Sequence, residues 1–456
     1  MSPSSLLTRW ILAGLVATEV VYGIKLNVND TQSIKNAAST AAYKMMTMYP
    51  GNKTGGIPGL LGDPYYWWEA GAMFGALVDY WHYTGDTTYN PVSTEALLWQ
   101  IGDDDDYMPL NQTKSLGNDD QAFWGIAAMR AAEVNYPNPP TGKPGWLALA
   151  QAVFNTQAAR WNTQACGGGL KWQIFTFNEG YDYRNSISNG LFFNLAARLA
   201  AYTGNSSYSD WAVKTWDWST DVGLVDNFNV YDGSDDTKNC TEKDHIQWTY
   251  NAGIYLYGCA TMWNITQDDK WKNRTLGMWN RTAEIFYAGN DTNILYEAAC
   301  EPSGNCKTDQ LSFKGYLSRW LATTVQVAPF MYSSIRPYLE SSALGAAQNC
   351  VGGSDGSTCG TKWYEDGWDG TTGVGQQMCA LETFQALLVQ ASSGPLTNKT
   401  GGTSAGNPEA GSNTNTDGYY NGMTRKITTG DRVAAAFVTI ALLGTTLAGG
   451  WFLVTS

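Results

Sequence analysis

Two adjacent aspartates are the residues of this 456-residue chain whose types and spacing most clearly suggest chemistry. Asp119 and Asp120 follow Gly117 and precede an apolar, aromatic stretch that reads as a helix. Two carboxyl groups about 5 Å apart can act as nucleophile and acid/base in the retaining cleavage of a glycosidic bond, whereas a wider separation favours inversion. The pair therefore predicts sugar chemistry.

The start of a helix explains how two neighbouring carboxyl groups could take different roles. The free N–H groups of the first turn and the helix dipole favour one ionised carboxylate. Its charge raises the pKa of the second, which can then donate a proton. The competing interpretation is structural: Asn118 caps the helix, Gln121 closes a capping box, and both acids complement the dipole. Other paired acids, such as Asp235 with Asp236, favour that interpretation.

Twelve apolar stretches predict the helices that must position the pair. Six have apolar or small residues on nearly every side, as buried helices do, and the six between them have one polar face. The inner helices are predicted at 68–83, 118–134, 186–202, 250–263, 313–329 and 373–390, and the outer helices at 31–49, 93–101, 145–161, 208–222, 269–286 and 333–347. This repeat of helical hairpins predicts an all-α (α/α)6 toroid. The alternative, an open solenoid, would need polar capping repeats.

The loops before the inner helices converge at one end of such a toroid. Five of these loops combine aromatic rings with polar side chains, which suit the faces and hydroxyls of sugars. Any one of them alone would indicate core packing; together they predict a cleft. The residues expected to contact substrate there are Tyr66, Trp67, Asn118, Trp172, Gln173, Asn185, Trp248, Tyr250, Asn251, Asp366 and Trp368.

Basic and histidine side chains near the cleft motifs have two interpretations each. Lys171 and Arg184 could contact a phosphate group of a glycan, and salt bridging is the alternative. His82 lies in an apolar inner helix, which predicts a hydrogen-bonded core histidine. His245, beside Trp248, could lie in the cleft or outside it.

Two further motifs resemble functional sites. The G-x-S-x-G pattern at 352–356 has no apolar strand before it, as a hydrolase nucleophile elbow requires. The acidic run of Asp103, Asp104, Asp105 and Asp106 could hold calcium, but a solvated loop is the favoured interpretation. With no His/Cys spacing typical of zinc, neither a metal nor a cofactor is predicted.

The two ends of the chain predict export and anchoring. Arg9, an apolar run and Gly23 indicate a secretory signal peptide at 1–23. The apolar tail at 433–454 follows basic and small polar residues, which indicates a GPI-attachment signal at 422–456 with Asn421 or Gly422 as the attachment residue. A single transmembrane helix is the alternative. Between these ends we predict a catalytic domain at 24–393 and a flexible, glycosylated stalk at 394–421.

Sequons and cysteines agree with export. Eight Cys favour disulfides in an exported chain, with Cys300–Cys306 and Cys350–Cys359 as the short-loop pairs. The sequence does not pair Cys166, Cys240, Cys259 and Cys379. The net charge of −13 argues against nucleic acid and acidic polymers as partners. The expected glycosylation sites are Asn29, Asn52, Asn111, Asn205, Asn239, Asn264, Asn273, Asn280, Asn290 and Asn398.

Four motifs resemble one known family. LGNDDQAFW at 116–124, GGLKWQ at 168–173, NSISNG at 185–190 and YEDGW at 364–368 are similar to glycoside hydrolase family 76, the endo-α-1,6-mannanases, and above all to its GPI-anchored fungal cell-wall members. The resemblance covers residues 25–393 and both ends. It implies an (α/α)6 fold and a retaining mechanism with Asp119 as nucleophile and Asp120 as acid/base.

The resemblance also implies partners and a location. The partners are α-1,6-mannose glycans, GPI-core glycans and wall β-glucan as an acceptor, and the location is the outer face of the plasma membrane and the cell wall. It leaves open whether water or a sugar accepts the mannosyl unit. The alternatives are plain endo-mannanase hydrolysis and a non-catalytic, mannan-binding wall protein.

Overall fold

The computed structural model of the protein describes residues 23–287, 292–412 and 428–455. The predicted signal peptide lies outside these residues except for Gly23. The sequon at Asn290 and the expected attachment residues Asn421 and Gly422 also lie outside them.

Twelve helices of the described residues build the body of the molecule. In chain order they are α1 (Thr31–Thr47), α2 (Trp67–Thr84), α3 (Asn90–Trp99), α4 (Asn118–Glu133), α5 (Trp146–Ala159), α6 (Ser186–Thr203), α7 (Ser206–Asp221), α8 (Thr249–Thr266), α9 (Asp269–Phe286), α10 (Phe313–Val327), α11 (Tyr332–Asn349) and α12 (Val374–Ala386). Each of the twelve predicted helices is present, with ends shifted by a few residues.

The even-numbered helices form a closed inner ring. Each packs against the next, and α12 packs back against α2. The odd-numbered helices pack around them, which confirms the (α/α)6 toroid and excludes the open solenoid. Small residues let the inner helices approach: a Cβ at Gly258 of α8 would lie 2.2 Å from the ring of Phe193 on α6. Helix α9 shows the outer type, with Trp271 and Met278 buried and Asn273 and Asn280 exposed.

Buried ion pairs join the inner helices at the centre of the toroid. Their side chains are almost completely shielded from solvent. The pairs are Asp79 with Arg130 (2.5 Å), Glu133 with Arg198 (2.7 Å), and Arg319 with both Asp79 (3.4 Å) and Glu382. These contacts connect α2 with α4, α4 with α6, α2 with α10, and α10 with α12.

Five short strands accompany the helices and were not predicted. They are β1 (Tyr183–Asn185), β2 (Val225–Asp226), β3 (Asn229–Val230), β4 (Gly233–Asp235) and β5 (Lys243–Asp244). Strand β4 pairs antiparallel with both β1 and β5, and β2 pairs with β3. Runs of two or three residues are too short to show the alternation that identifies a strand in sequence.

Three disulfides cross-link the body. The short-loop pairs Cys300–Cys306 and Cys350–Cys359 are confirmed. The third joins Cys166 to Cys240, and Cys259 and Cys379 are buried free thiols.

The segment expected to begin a flexible stalk is packed against the toroid over residues 396–411. Backbone bonds tie Leu396 to Glu133 and Asn398 to Ala201. Contrary to the prediction, a free stalk therefore does not start at residue 394. After the undescribed residues, helix α13 (Thr429–Thr455) is exposed, and its segment Arg432–Trp451 is long and apolar enough to cross a membrane.

The sequon asparagines lie mostly on the surface. Eight are exposed, which suits glycan attachment, whereas Asn264 is half-buried and donates its amide to the carbonyl of Val327 (2.8 Å). The exposed set is Asn29, Asn52, Asn111, Asn205, Asn239, Asn273, Asn280 and Asn398.

Candidate active site

The two aspartates lie in the first turn of α4, where their carboxyl groups meet free backbone N–H groups. The N–H of Gly117 donates to Asp120 Oδ2 (2.8 Å), and the N–H of Asp120 donates to Asp119 Oδ1 (3.0 Å). Asn185, the N-cap of α6, donates its side-chain amide to Asp119 Oδ2 (2.9 Å). Asp120, and not Gln121, therefore closes the capping box of α4 by accepting from the N–H of Gly117. The side-chain amide of Gln121 donates to the carbonyl of Asp106 instead (2.8 Å).

Gly117 allows the two carboxyl groups to share one small space. A Cβ at this position would lie 2.4 Å from Asp119 Oδ1 and 2.7 Å from Asp120 Oδ2. Because both oxygens lie within these distances of one point, they are separated by at most their sum, about 5.1 Å. A side chain at this position would displace at least one carboxyl group.

Burial and the repulsion between the two carboxyl groups give Asp119 and Asp120 different pKa values. Burial raises the pKa of Asp119 to about 6, and the hydrogen bond from Asn185 opposes this rise. Burial also raises the pKa of Asp120 well above its usual value, and the charge of Asp119 raises it further. Near neutral pH this favours an ionised Asp119 beside a protonated Asp120.

A cleft of about 540 Å³ surrounds the pair at the end of the toroid where the inner helices begin. Its walls come from the loops before α2, α4, α6, α8 and α10. Eight of the predicted site residues lie in it: Tyr66, Asp119, Asp120, Trp172, Gln173, Asn185, Trp248 and Tyr250.

Contacts with neighbouring side chains and backbone fix the aromatic walls of the cleft. The indole N–H of Trp248 donates to Asp232 Oδ1 (2.9 Å). Tyr250 stacks on Phe313 with the ring centroids 3.8 Å apart. Trp172 packs its ring against the backbone of Gly180, where a Cβ would lie 2.3 Å from the indole. These side chains are therefore held in place before a ligand binds.

Three predicted contact residues lie in the core instead. Trp67 is buried, donates its indole N–H to Gln100 Oε1 (2.8 Å) and stacks on Trp124. Asn118 is buried under the loop that carries Trp172, and Asn251 is fully buried in α8. Successive helical residues point about 100° apart, so the neighbours of a cleft residue face elsewhere.

Asp366 and Trp368 also lie outside the cleft, contrary to the prediction. Both are exposed in the loop before α12. The ring of Trp368 covers Gly352, where a Cβ would lie 2.3 Å from it, and its indole N–H donates to the carbonyl of Thr371 (2.7 Å). This loop folds over the segment closed by the Cys350–Cys359 disulfide rather than over the aspartate pair.

Lys171 and Arg184 have structural roles, so a phosphate contact is not available to them. Lys171 pairs with Asp182 (3.0 Å) and Asp236 (2.6 Å). Arg184 is fully buried, donates to the carbonyl of Gly169 (2.7 Å) and also pairs with Asp236 (3.3 Å). Lys114 is the cation among the described residues that line the cleft.

The remaining candidates also lie apart from the pair. His82 is half-buried at the end of α2, and its Nε2 contacts the carbonyl of Ser393 (3.0 Å). His245 is exposed and packs edge-on against Tyr231 outside the cleft lining. Asp106 is buried rather than solvated, and its carboxylate accepts from the N–H of Met108 (3.1 Å).

Two acidic residues of the cleft, Asp309 and Asp232, were not predicted from the sequence. Asp309 accepts from the indole of Trp68 (3.2 Å), and burial raises the pKa of Asp309 to about 6. Asp232 accepts from Tyr183 and Trp248 (both 2.9 Å). Asp309 precedes α10, in the loop that the five predicted cleft loops leave out. Because the loops before all six inner helices converge at one end of a toroid, including the sixth loop identifies Asp309.

Comparison with known families gives a match over most of the chain. The model of glycosyl hydrolase family 76 matches residues 33–399. The mannan endo-1,6-alpha-mannosidase DCW1 of Candida glabrata is 47% identical over 437 residues, which cover 95% of this chain and 96% of the relative. The mannan endo-1,6-alpha-mannosidase DFG5 of Saccharomyces cerevisiae is 42% identical and covers 95% of both chains.

Solved structures show the same architecture. Dfg5 from Chaetomium thermophilum, solved in complex with glucosamine, superposes with a TM-score of 0.83 at 45% identity and covers 86% of this chain and 99% of its own. The GH76A α-1,6-mannanase of Salegentibacter sp. HEL1_6 superposes with a TM-score of 0.63 at 19% identity, covering 78% of this chain and 98% of its own. The second likeness extends to the fold alone.

Proposed function

Because the chain belongs to glycosyl hydrolase family 76, we propose that it acts on α-1,6-linked mannose with Asp119 as nucleophile and Asp120 as acid/base. The observation that carries this proposal is the buried carboxyl pair, with its separated proton affinities, at the base of an aromatic cleft. The named mannosidase relatives supply the sugar and the linkage.

The proposed reaction is a double displacement. In the first step Asp119 attacks the anomeric carbon while Asp120 gives its proton to the glycosidic oxygen, so the C–O bond breaks as the glycosyl ester forms. In the second step the Asp120 carboxylate takes a proton from an incoming hydroxyl. That oxygen bonds to the anomeric carbon and releases Asp119. The separation of at most about 5.1 Å between the two carboxyl oxygens supports retention.

Transfer to a sugar is the second part of the proposal. A glycosyl ester can be captured by any well-placed hydroxyl, and the rings of Trp248 and Tyr250 offer surfaces for an acceptor sugar. The Dfg5 structure with glucosamine supports a GPI-linked glycan as donor, since that glycan contains glucosamine. The acceptor would be wall β-glucan. Hydrolysis is the alternative, in which water takes the acceptor position.

A product assay tests this reaction. The purified chain is incubated with α-1,6-mannotetraose or a GPI-glycan donor, with and without a β-glucan oligosaccharide, and the products are identified by mass spectrometry. We expect a joined product in which the anomeric configuration is kept. Hydrolysed mannose alone at saturating acceptor would leave a plain endo-mannanase.

Asp119→Asn and Asp120→Asn should each lower turnover by about 10²- to 10⁴-fold while the chain stays folded. Wild-type rates would refute the assignment, and retained binding without turnover in the wild type would indicate a mannan-binding protein.

Anchoring at the outer face of the plasma membrane completes the proposal. The exposed helix α13 and the small residues before it support a GPI signal that is removed on attachment near Asn421. Phosphatidylinositol-specific phospholipase C should then release the protein from membranes. Retention after treatment would favour a transmembrane helix.

A further inference from the structure

Residues 396–411, called the strap below, begin at the end of the toroid opposite the cleft. The N–H of Leu396 donates to the carbonyl of Glu133 (2.8 Å), the last residue of α4, and the N–H of Asn398 donates to Ala201 near the end of α6 (2.9 Å). Helices α4 and α6 both begin at the cleft. Their last residues therefore mark the opposite end.

The strap then follows α5 toward the cleft. Ser404 Oγ accepts from the N–H of Leu147 (2.9 Å), and the N–H of Asn407 donates to Gln151 Oε1 (2.7 Å). Asn155 donates its amide to the carbonyls of both Pro408 and Ala410 (2.8 Å each). The contacts advance eight residues along α5, which is about 12 Å at 1.5 Å per residue.

The strap ends beside the catalytic turn. Helix α5 runs antiparallel to α4, because Gln157 near its end donates to the carbonyl of Asn118 (2.6 Å). A Cβ at Gly411 would lie 2.6 Å from the carbonyl oxygen of Ala152 and 3.1 Å from Thr156. Thr156 in turn accepts from the amide of Gln121, the residue after Asp120 (2.9 Å).

We infer that the strap carries the C-terminal anchor to the catalytic end, so that the cleft faces the lipid surface to which the chain is attached. The inference rests on the GPI anchor of the proposed function. From Ser412 to Asn421 there are nine residues, which span at most about 30 Å. Without the strap, the tether would leave from Ser393, which contacts His82 at the far end of α2. An inner helix of 18 residues, about 27 Å long, would then separate it from the cleft.

Apolar side chains on the rim beside the strap suit a lipid surface. Leu110 and Phe177 are each 50% exposed. Their loops are joined by the bond from the Asn178 amide to the carbonyl of Thr113 (3.0 Å). In the loop that carries Leu110, the carbonyl of Asp106 accepts from the side-chain amide of Gln121. The same amide donates to Thr156, which lies against the end of the strap, so this loop is close to the strap. Exposed apolar groups at this edge can rest in the interfacial layer of a membrane.

The enzyme acts in this arrangement on glycans held at the same membrane. A cleft facing the bilayer meets lipid-linked donor glycans at high local concentration, whereas donor glycans that are not held at the membrane reach it less readily. The strap thereby selects membrane-held glycan as the donor class of the proposed reaction.

Energy transfer to the membrane tests the orientation without measuring activity. The full, processed chain is reconstituted in phosphatidylcholine vesicles that contain an acceptor-dye lipid. A donor dye is attached to Asp103→Cys at the cleft end or to Thr87→Cys at the opposite end; both positions are exposed, and the native thiols Cys259 and Cys379 are buried. We expect transfer from position 103 to be at least about twofold more efficient. Equal transfer, or stronger transfer from position 87, would overturn the inference.

Two variants separate the strap from the anchor itself. Deletion of residues 394–412 should make energy transfer from position 87 more efficient than transfer from position 103. Gly411→Val retains the rest of the strap but should reduce the difference in transfer efficiency between positions 103 and 87. A valine Cβ at this site would clash with the backbone of α5, and the φ of 73° is unfavourable for valine. An unchanged order in both variants would contradict the role of the strap. A chain that does not join vesicles at all would refute the anchor, and the inference with it, while leaving the proposed chemistry untouched.

Discussion

At the residue scale, Gly117 determines how closely the proposed catalytic carboxyl groups of Asp119 and Asp120 can lie. Gly117→Ala should keep the fold, because φ at this residue is −98°, but should displace Asp119 or Asp120 and lower kcat by about 10²-fold or more. Kinetics with α-1,6-mannotetraose measure the effect. Gly394→Ala is the matched control, since its Cβ would meet only Gln326 Cβ at 3.6 Å. Full activity of the Gly117 variant would contradict the close approach.

The raised pKa values of the pair predict a bell-shaped pH profile. Activity should rise as Asp119 ionises near pH 6 and fall at higher pH as Asp120 loses its proton. Asn185→Ala removes a hydrogen bond that lowers the pKa of Asp119, so the acid limb should move to higher pH. The measurement is kcat/KM from pH 4 to 9. A shift to lower pH would mean that Asn185 does not stabilise the ionised form.

Two tryptophans that look equivalent in sequence should differ in ligand binding. Trp172 lines the cleft, whereas Trp368 covers the backbone of Gly352. Trp172→Ala should weaken binding of mannose oligomers by about 1 to 3 kcal/mol, by analogy with rings stacked on nucleic-acid bases. Trp368→Ala should leave affinity unchanged in the same calorimetric titration. Equal losses in both variants would place the binding surface elsewhere.

Buried ion pairs connect the inner ring at the scale of the elements. Glu133→Leu leaves Arg198 charged and unpaired between α4 and α6, so unfolding free energy should fall by about 3 to 5 kcal/mol. The double variant Glu133→Leu/Arg198→Leu should recover part of that loss. Chemical denaturation measures both free energies of unfolding. Glu242→Ala, in the exposed pair with Lys238, is the control and should leave the free energy of unfolding nearly unchanged. No recovery in the double variant would show that the pair itself is stabilising.

The long disulfide stabilises the molecule as a whole. Cys166 and Cys240 are 74 residues apart and join the loop before β1 to the segment after β4, both beside the cleft loops. Closing a loop of this length contributes about 4 kcal/mol through the unfolded chain, against about 2 kcal/mol for the six-residue separation of Cys300–Cys306. Replacing each pair by Ala and comparing thermal unfolding tests the difference. A larger loss for the short pair would point to native-state packing instead.

The sequence by itself determined the helices and the toroid, and it singled out the proposed catalytic pair. Inner and outer helices differ in how many sides carry apolar residues, and this pattern is visible along the chain because helical periodicity is local. The two short-loop disulfides follow from proximity in sequence. The pair Asp119 and Asp120 stood out because adjacency alone brings two carboxyl groups together.

Only the tertiary structure decided which neighbours share the cleft. Trp67 and Asn251 point into the core, although their neighbours Tyr66 and Tyr250 line the cleft. A run of polar and aromatic residues in the sequence does not show which of them faces the cleft. Asp309 lines the same cleft as the pair and accepts from the indole of Trp68, which is 241 positions away in the sequence. The strap over residues 396–411 has a composition typical of a linker. Its order depends on backbone hydrogen bonds to α4, α5 and α6, which exist only after the helices have assembled.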